Sequence, residues 1–157
     1  MISANLARFL RQEFRLEWRG IHGVPHWARV RVNGLQLAAA TGANPTIVEL
    51  FAFLHDARRE NDGRDREHGV RAARLASELN GSFFTLTKDE FQLLDQACRE
   101  HSDGRLDGDI TVQTCWDADR LDLGRIGTRP DPRRLCTEAA RRPEVIARAF
   151  QRSRCWR

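Results

Sequence analysis

Residues 45 to 63 read PTIVELFAFLHDARRENDG, and this stretch decides the fold. Val48, Leu50, Phe51, Ala52, Phe53 and Leu54 leave no polar side, so the segment is expected to be a helix central to a bundle. Pro45 suits its first turn, and the helix is expected to run to about Glu60. His55 and Asp56 stand side by side where the apolar run ends. A buried carboxylate is costly unless it is paired or bound to a metal. Neighbouring side chains lie about 100° apart around a helix axis, so both can reach one ion between them. The alternative is a core histidine hydrogen-bonded to its surroundings, with Asp56 paired to Arg58 or Arg59.

The flanking sequence is helical almost throughout. Leu6, Phe9, Leu10 and Phe14 recur at spacings of three and four, which predicts an amphipathic helix over residues 3 to 18 started by Ser3 or Asn5. After Gly20 and Gly23, Pro25 opens a second helix reaching about Ala40. A fourth is expected from about Glu67 to Leu79. Thr87 and Glu90 form a capping box for a fifth ending near His101, and a sixth runs from about Ile110 to Leu123. Pro132 starts a short turn, and Pro143 opens a last amphipathic helix. No segment alternates apolar and polar residues for long. The expectation is an all-α single-domain bundle of about six or seven helices, residues 1–157 forming one unit.

Length and composition agree with that. A chain of 157 residues, 41% hydrophobic and 31% charged, can bury a core without disulfides or a structural metal. No apolar run approaches the ~20 residues a membrane span needs. Arg8, Arg11 and Glu13 interrupt the N-terminal segment, which therefore lacks the apolar core of a signal peptide, and a cytoplasmic location is expected. Cys98, Cys115, Cys136 and Cys155 include no close pair and are expected to be reduced thiols. The net charge of +4 is uneven: residues 120 to 157 carry +7 and the rest −3. That excess of arginine permits a phosphate-bearing partner. Without aromatic interleaving or a recognition motif, nucleic acid is not the expected one.

Two further groups bear on chemistry. His22, His26, Arg29 and Asn33 form a polar stripe along the second helix, which either faces solvent or lines an internal polar cleft. Asp117, Asp119 and Asp122 crowd the segment WDADRLDLG, where like carboxylates repel unless cations sit among them. Arg120 and Arg125 or a metal can supply that charge. Asp119 and Asp122 can share a helix face, and Asp117 points away from them.

The order of these elements resembles the HD-domain superfamily of metal-dependent phosphohydrolases, all-helical proteins named for the adjacent His and Asp. HGVPHWARV (22–30) looks like that family's first-ligand helix and places His26 as the first ligand. LHDARREN (54–61) looks like its central helix, giving His55 and Asp56. WDADRLDLG (116–124) is similar to its last-ligand segment, which selects Asp119. The likeness spans about residues 20–127. In branches of the family with two metals, extra histidines follow the HD pair and precede the last aspartate, and His68 and His101 stand in such places as candidates for a second metal or a phosphate contact. The plainer alternatives are that His68 caps a helix and that His101 is exposed. The extra histidines of the cyclic-dinucleotide-cleaving branch are not evident.

The resemblance implies one divalent transition ion, Mn, Fe, Co, Ni or Zn, on His26, His55, Asp56 and Asp119, with a second on His68 and His101 where two bind. It also implies an acidic residue one turn past the pair. Glu60 is the candidate base, and Arg29, Arg59 and Arg120 are the candidates for steadying phosphoryl charge. The implied reaction is hydrolysis of a small phosphate ester, a nucleotide or a relative of one, by activated water. Trp27 and Trp116 are candidates to stack on a base, core packing being the commoner fate of tryptophan. The alternatives are a non-hydrolytic metal-binding module serving regulation or a partner, a di-iron oxygenase-like relative, and a surface binder of nucleic acid or phospholipid driven by the C-terminal arginines. A homo-oligomer stays open.

Overall fold

A computed structural model describes residues 2–155. Among them are eight α-helices, two short 3-10 turns and no sheet. The helices are α1 (Ala4–Glu13), α2 (Val24–Thr41), α3 (Pro45–Leu54), α4 (His68–Leu79), α5 (Lys88–Glu100), α6 (Ile110–Arg120), α7 (Glu138–Arg141) and α8 (Pro143–Cys155). The four-residue α7 is the element that periodicity does not announce. No helix among the described residues is long and apolar enough to cross a membrane.

Local chemistry starts each helix. Ser3 Oγ accepts the Leu6 N–H at 3.1 Å, and Asn44 Oδ1 accepts that of Thr46 at 2.9 Å just ahead of Pro45. The Thr87–Glu90 capping box forms as expected. Asp109 caps α6 through the Thr111 N–H at 2.7 Å.

α3 is the central helix. Ile47, Val48, Leu50, Phe51, Ala52 and Leu54 are all buried, against α2 on one side and α5 and α6 on others. Burying a side chain such as Leu54 or Phe51 contributes about 1.5–3 kcal/mol. Two glycines set the approach distances that bring the polar residues together. A Cβ on Gly34 of α2 would fall 2.5 Å from Val48 Cγ1 of α3. One on Gly69 of α4 would lie 2.6 and 2.8 Å from the backbone oxygens of Arg99 and Cys98 at the end of α5. Those crossings exist because neither position carries a side chain. A second, smaller core of Leu37, Leu121, Leu135, Ala140, Ile146 and Ala149 fixes α7 and α8 against α2.

Two helices stop earlier than their periodicity suggests. α1 ends at Glu13 rather than near residue 18, because Phe14 turns away in extended conformation to join Trp18 and Trp27 in an edge-to-face cluster with ring centroids 5.1–5.9 Å apart. α3 ends at Leu54 rather than Glu60. From there the backbone tightens into turns, with Ala57 N–H on Leu54 O and Arg59 N–H on Asp56 O. Arg58 is drawn to Glu13 and Glu78, and Arg59 to the carbonyls of Asn61 and Gly63, so tertiary partners take over where the helix stops.

Candidate metal centre

The polar stripe lies inside the molecule. His26, Arg29 and Asn33 on α2, and His22 in the turn just before that helix, are all under 8% exposed. His26 meets His55 from the end of α3, with their Nε2 atoms 3.0 Å apart. Asp119 Oδ1 lies 3.3 Å from the former nitrogen and 3.9 Å from the latter, and Asp56 Oδ2 is 3.7 Å from each. A second cluster sits alongside. His68, at the start of α4, and His101, just past α5, place their Nε2 atoms 2.8 Å apart. Asp56 Oδ1 faces them at 3.5 and 3.8 Å. Asp56 therefore offers one oxygen to each histidine pair.

The hydrogen bonds behind the rings settle which nitrogens carry protons. His55 Nδ1 contacts Phe51 O at 3.1 Å, His101 Nδ1 contacts Cys98 O at 2.7 Å, and His68 Nδ1 contacts Asp65 O. A carbonyl only accepts, so each of these nitrogens donates its N–H. His26 Nδ1 donates in the same way to the Asp122 carboxylate at 2.7 Å. In their neutral form all four rings turn an Nε2 lone pair inward, toward one another and toward carboxylate oxygens. Such a set of acceptors without a donor repels itself and attracts a cation. Two nitrogens each ~2.1 Å from a shared ion stand ~3 Å apart, which the 3.0 and 2.8 Å separations match. The two groups His26–His55–Asp56 and Asp56–His68–His101 are thus able to chelate divalent ions.

The electrostatics agree. Burial drives His55 down to about 3, so its ring is neutral. Burial, joined by His101, also lowers His68. For His101 burial is outweighed by the hydrogen bond to Asp56, and its affinity for a proton is raised. Burial alone would raise Asp56 and Asp119. The surrounding histidines hold Asp56 well below the usual carboxylate range, and His26 and Arg125 do the same for Asp119. The cluster draws in positive charge, whether a proton on His101 or a metal ion.

Arg29 grips Asp122 through Nε at 2.7 Å and Nη2 at 3.1 Å, so it acts on His26 through that carboxylate. Arg59 lies 3.3 Å from Asp56 Oδ1. Arg120 lines the same cleft as Asp119 and His101, its guanidinium donating to the carbonyls of Arg134 and Arg105. Glu60 is not brought to either cluster. Its half-exposed side chain pairs with Arg71 and Arg15 at 3.7 and 3.8 Å, because α3 has already ended and the expected shared face does not exist. Asp117 is turned away, accepting the N–H groups of Cys136 and Thr137 and the Thr137 hydroxyl at 2.6–2.8 Å. His22 is bonded to Asp62 at 2.8 Å and ties the 59–65 loop to the start of α2. Trp27 and Trp116 are fully buried and face no ligand.

Two supporting groups come from the aspartate-rich segment. Asp122, which the sequence placed on a face with Asp119 without assigning it a role, orients His26. Arg125, expected among the cations that offset these carboxylates, brings Nη2 to 3.9 Å from Asp119. A cleft of about 320 Å³ leads from the surface to Asp119 and His101, one residue from each cluster, and Arg120 forms part of its wall. Comparison with known proteins supplies no relative: no family model matches the chain, and no curated protein or solved structure matches it.

Proposed function

We propose that this chain is a metal-dependent phosphohydrolase of the HD-domain type, cleaving a small phosphate ester at a centre of two divalent transition ions. One observation carries the reading: two histidine pairs present inward lone pairs at 3.0 and 2.8 Å, with the two oxygens of Asp56 shared between them. His26, His55, Asp56 and Asp119 would hold one ion, and Asp56, His68 and His101 the other. Mixed imidazole and carboxylate donors suit Mn, Fe, Co, Ni or Zn better than Ca or Mg. When bound, such ions polarise a phosphoryl oxygen and make water nucleophilic near neutral pH.

The chain's own residues do the rest. Asp122, steadied by Arg29, fixes the His26 ring in the tautomer that leaves Nε2 free. Arg59 holds Asp56 against the drift that its shared position would otherwise allow. Arg120, fixed in the cleft wall, stabilises negative charge growing on the oxygens of the transferred group. Glu60, whose side chain is turned to Arg71 and Arg15, is not assigned the role of base.

A bridged two-ion centre of histidine and carboxylate also suits di-iron oxygen chemistry, and the second cluster keeps that reading in view. The test begins with metal analysis of protein purified without chelator, alone and after reconstitution. About two equivalents per chain are expected, falling by about one in His101→Ala and by both in Asp56→Ala. Release of phosphate from simple phosphomonoesters by the loaded protein supports hydrolysis. Oxygen uptake with iron and no phosphate release would favour the oxygenase. Failure to retain any of the five metals would defeat both readings.

A further inference from the structure

We infer that the cleft selects a small phosphomonoester whose alcohol half carries a second anionic group, received by Arg134. This rests on the hydrolytic reading above and adds the class of substrate. The inner end of the cleft is Asp119, its side chain 18% exposed, together with His101. The phosphoryl group therefore belongs at that end. The rest of the wall is largely aliphatic, with Leu106, Leu123, Pro130 and Leu135 beside Ser102 and Gly104. Apart from His101 at the phosphoryl end, no aromatic ring lines the cleft and no side-chain amide does, and Trp27 and Trp116 are only 1% and 0% exposed. With His101 committed to the phosphoryl end, a nucleobase would find no further aromatic ring to stack on and no side-chain amide to pair with its edge. The volume of about 320 Å³ is at the small end for ligand pockets.

The two cationic residues of the lining differ in state. Arg120 is immobilised by the carbonyls of Arg134 and Arg105 and by Cys136 Sγ at 3.3 Å, and lies over the Trp116 ring. Arg134 is exposed, and only its backbone is engaged: its N–H donates to Asp131 O and its carbonyl accepts from Arg120. Its guanidinium has no hydrogen-bond or ion-pair partner among the described residues. Asp131 also lines the cleft, but Arg133 already clamps that carboxylate at 2.8–3.2 Å through its side chain. An exposed guanidinium without an ion-pair partner, in the wall of a largely aliphatic cleft that also holds the phosphoryl site, matches a short molecule bearing two anionic groups.

The experiment measures binding and turnover together on the full chain loaded with Mn²⁺. The probes are propyl phosphate, 2-phosphoglycolate and adenosine monophosphate, titrated calorimetrically into wild type and Arg134→Gln. Phosphoglycolate should bind about tenfold more tightly than propyl phosphate, as expected for one charge-assisted pair. In Arg134→Gln the ratio should collapse toward one. Equal affinities in wild type, a ratio that survives the substitution, or tighter binding of adenosine monophosphate would each overturn the inference and leave the hydrolytic reading standing. The expected ratio without hydrolysis of any ester would instead defeat hydrolysis while supporting the anion-selective cleft. If no phosphate compound binds, both fail.

Discussion

Asp122→Asn tests the logic of the centre at a residue that touches neither proposed ion. The carboxylate is 1% exposed and accepts from His26 Nδ1 at 2.7 Å and from Arg29 at 2.7 and 3.1 Å. An amide has one accepting oxygen and an NH₂ that can only donate. If the oxygen stays with Arg29, the NH₂ faces His26 Nδ1, which must then become the acceptor. The ring proton moves to Nε2 and removes a lone pair from the first cluster. If the oxygen stays with His26, the NH₂ is pressed against the guanidinium of Arg29. Either arrangement forfeits the charge that Arg29 grips, at a cost of about 3 kcal/mol for a buried pair. For a chain of this size that lowers Tm by about 6–12 °C. Loss of an orienting carboxylate behind a metal-binding histidine weakens the ion about 10–100-fold. Competition of the apoprotein with a chromophoric chelator for Zn²⁺ or Mn²⁺ gives the affinity, and a melt gives Tm. Wild-type metal affinity in the variant, whatever its Tm, would refute the orienting role and the tautomer argument with it.

Three further outcomes are expected. Asp117→Ala strands two backbone N–H groups and a hydroxyl, so it should destabilise the fold by about 3 kcal/mol in a denaturant titration while metal stoichiometry is unchanged; metal loss in the refolded variant would contradict the separation of Asp117 from Asp119. Glu60→Gln removes only long, exposed ion pairs and should alter turnover by less than about twofold, so a loss of tenfold or more would reinstate Glu60 as the base. Burial pushes the Cys136 thiol up to about 12, which leaves only about one thiolate in ten thousand at pH 8. Cys98 and Cys115 are fully buried and Cys155 is exposed. Iodoacetamide at pH 8 should therefore add once per native chain, at Cys155, and mass spectrometry showing prompt addition at Cys136 would contradict that environment.

Much of this was legible because it depends on local pattern. The uniformly apolar α3, the caps at Asn44 and Thr87, and the order of histidines and aspartates along the chain are properties of short windows. What was not legible depends on partners far away in sequence. Phe14 leaves α1 to meet Trp27, and Arg58 leaves α3 to meet Glu13 and Glu78, so both helices end without a glycine or proline to announce it. Glu60 was misplaced for that reason, since a helical face was extended through residues that are no longer helical. Asp122 lies 96 positions from His26. The three-residue step from Asp119 gave it a shared face without indicating that the two would reach opposite nitrogens of His26, Asp119 at Nε2 and Asp122 at Nδ1.

The location of the centre follows from an elementary property of helices. The last carbonyls of an α-helix lack intrahelical donors. His55 and His101 occupy the positions just past α3 and α5, and each turns its Nδ1–H back to a carbonyl three or four residues earlier, Cys98 O for His101 and Phe51 O for His55. At α5 this hydrogen bond supplies a donor to the helix end, at α3 it joins the His55 backbone N–H already on Phe51 O, and in both it fixes the ring so that Nε2 faces outward from that end. Asp56, one residue further along the turn that closes α3, is then carried between the two rings and their partners. A pair of helix ends converging on a buried carboxylate thus yields oriented lone pairs without any dedicated loop. The crossing at Gly69 lets the start of α4 join them, because it brings His68 against the end of α5. A side chain at Gly69 would push the α4 and α5 backbones apart and open the His68–His101 pair while leaving His26 and His55 in place. The second cluster therefore depends on a packing position that carries no chemistry of its own.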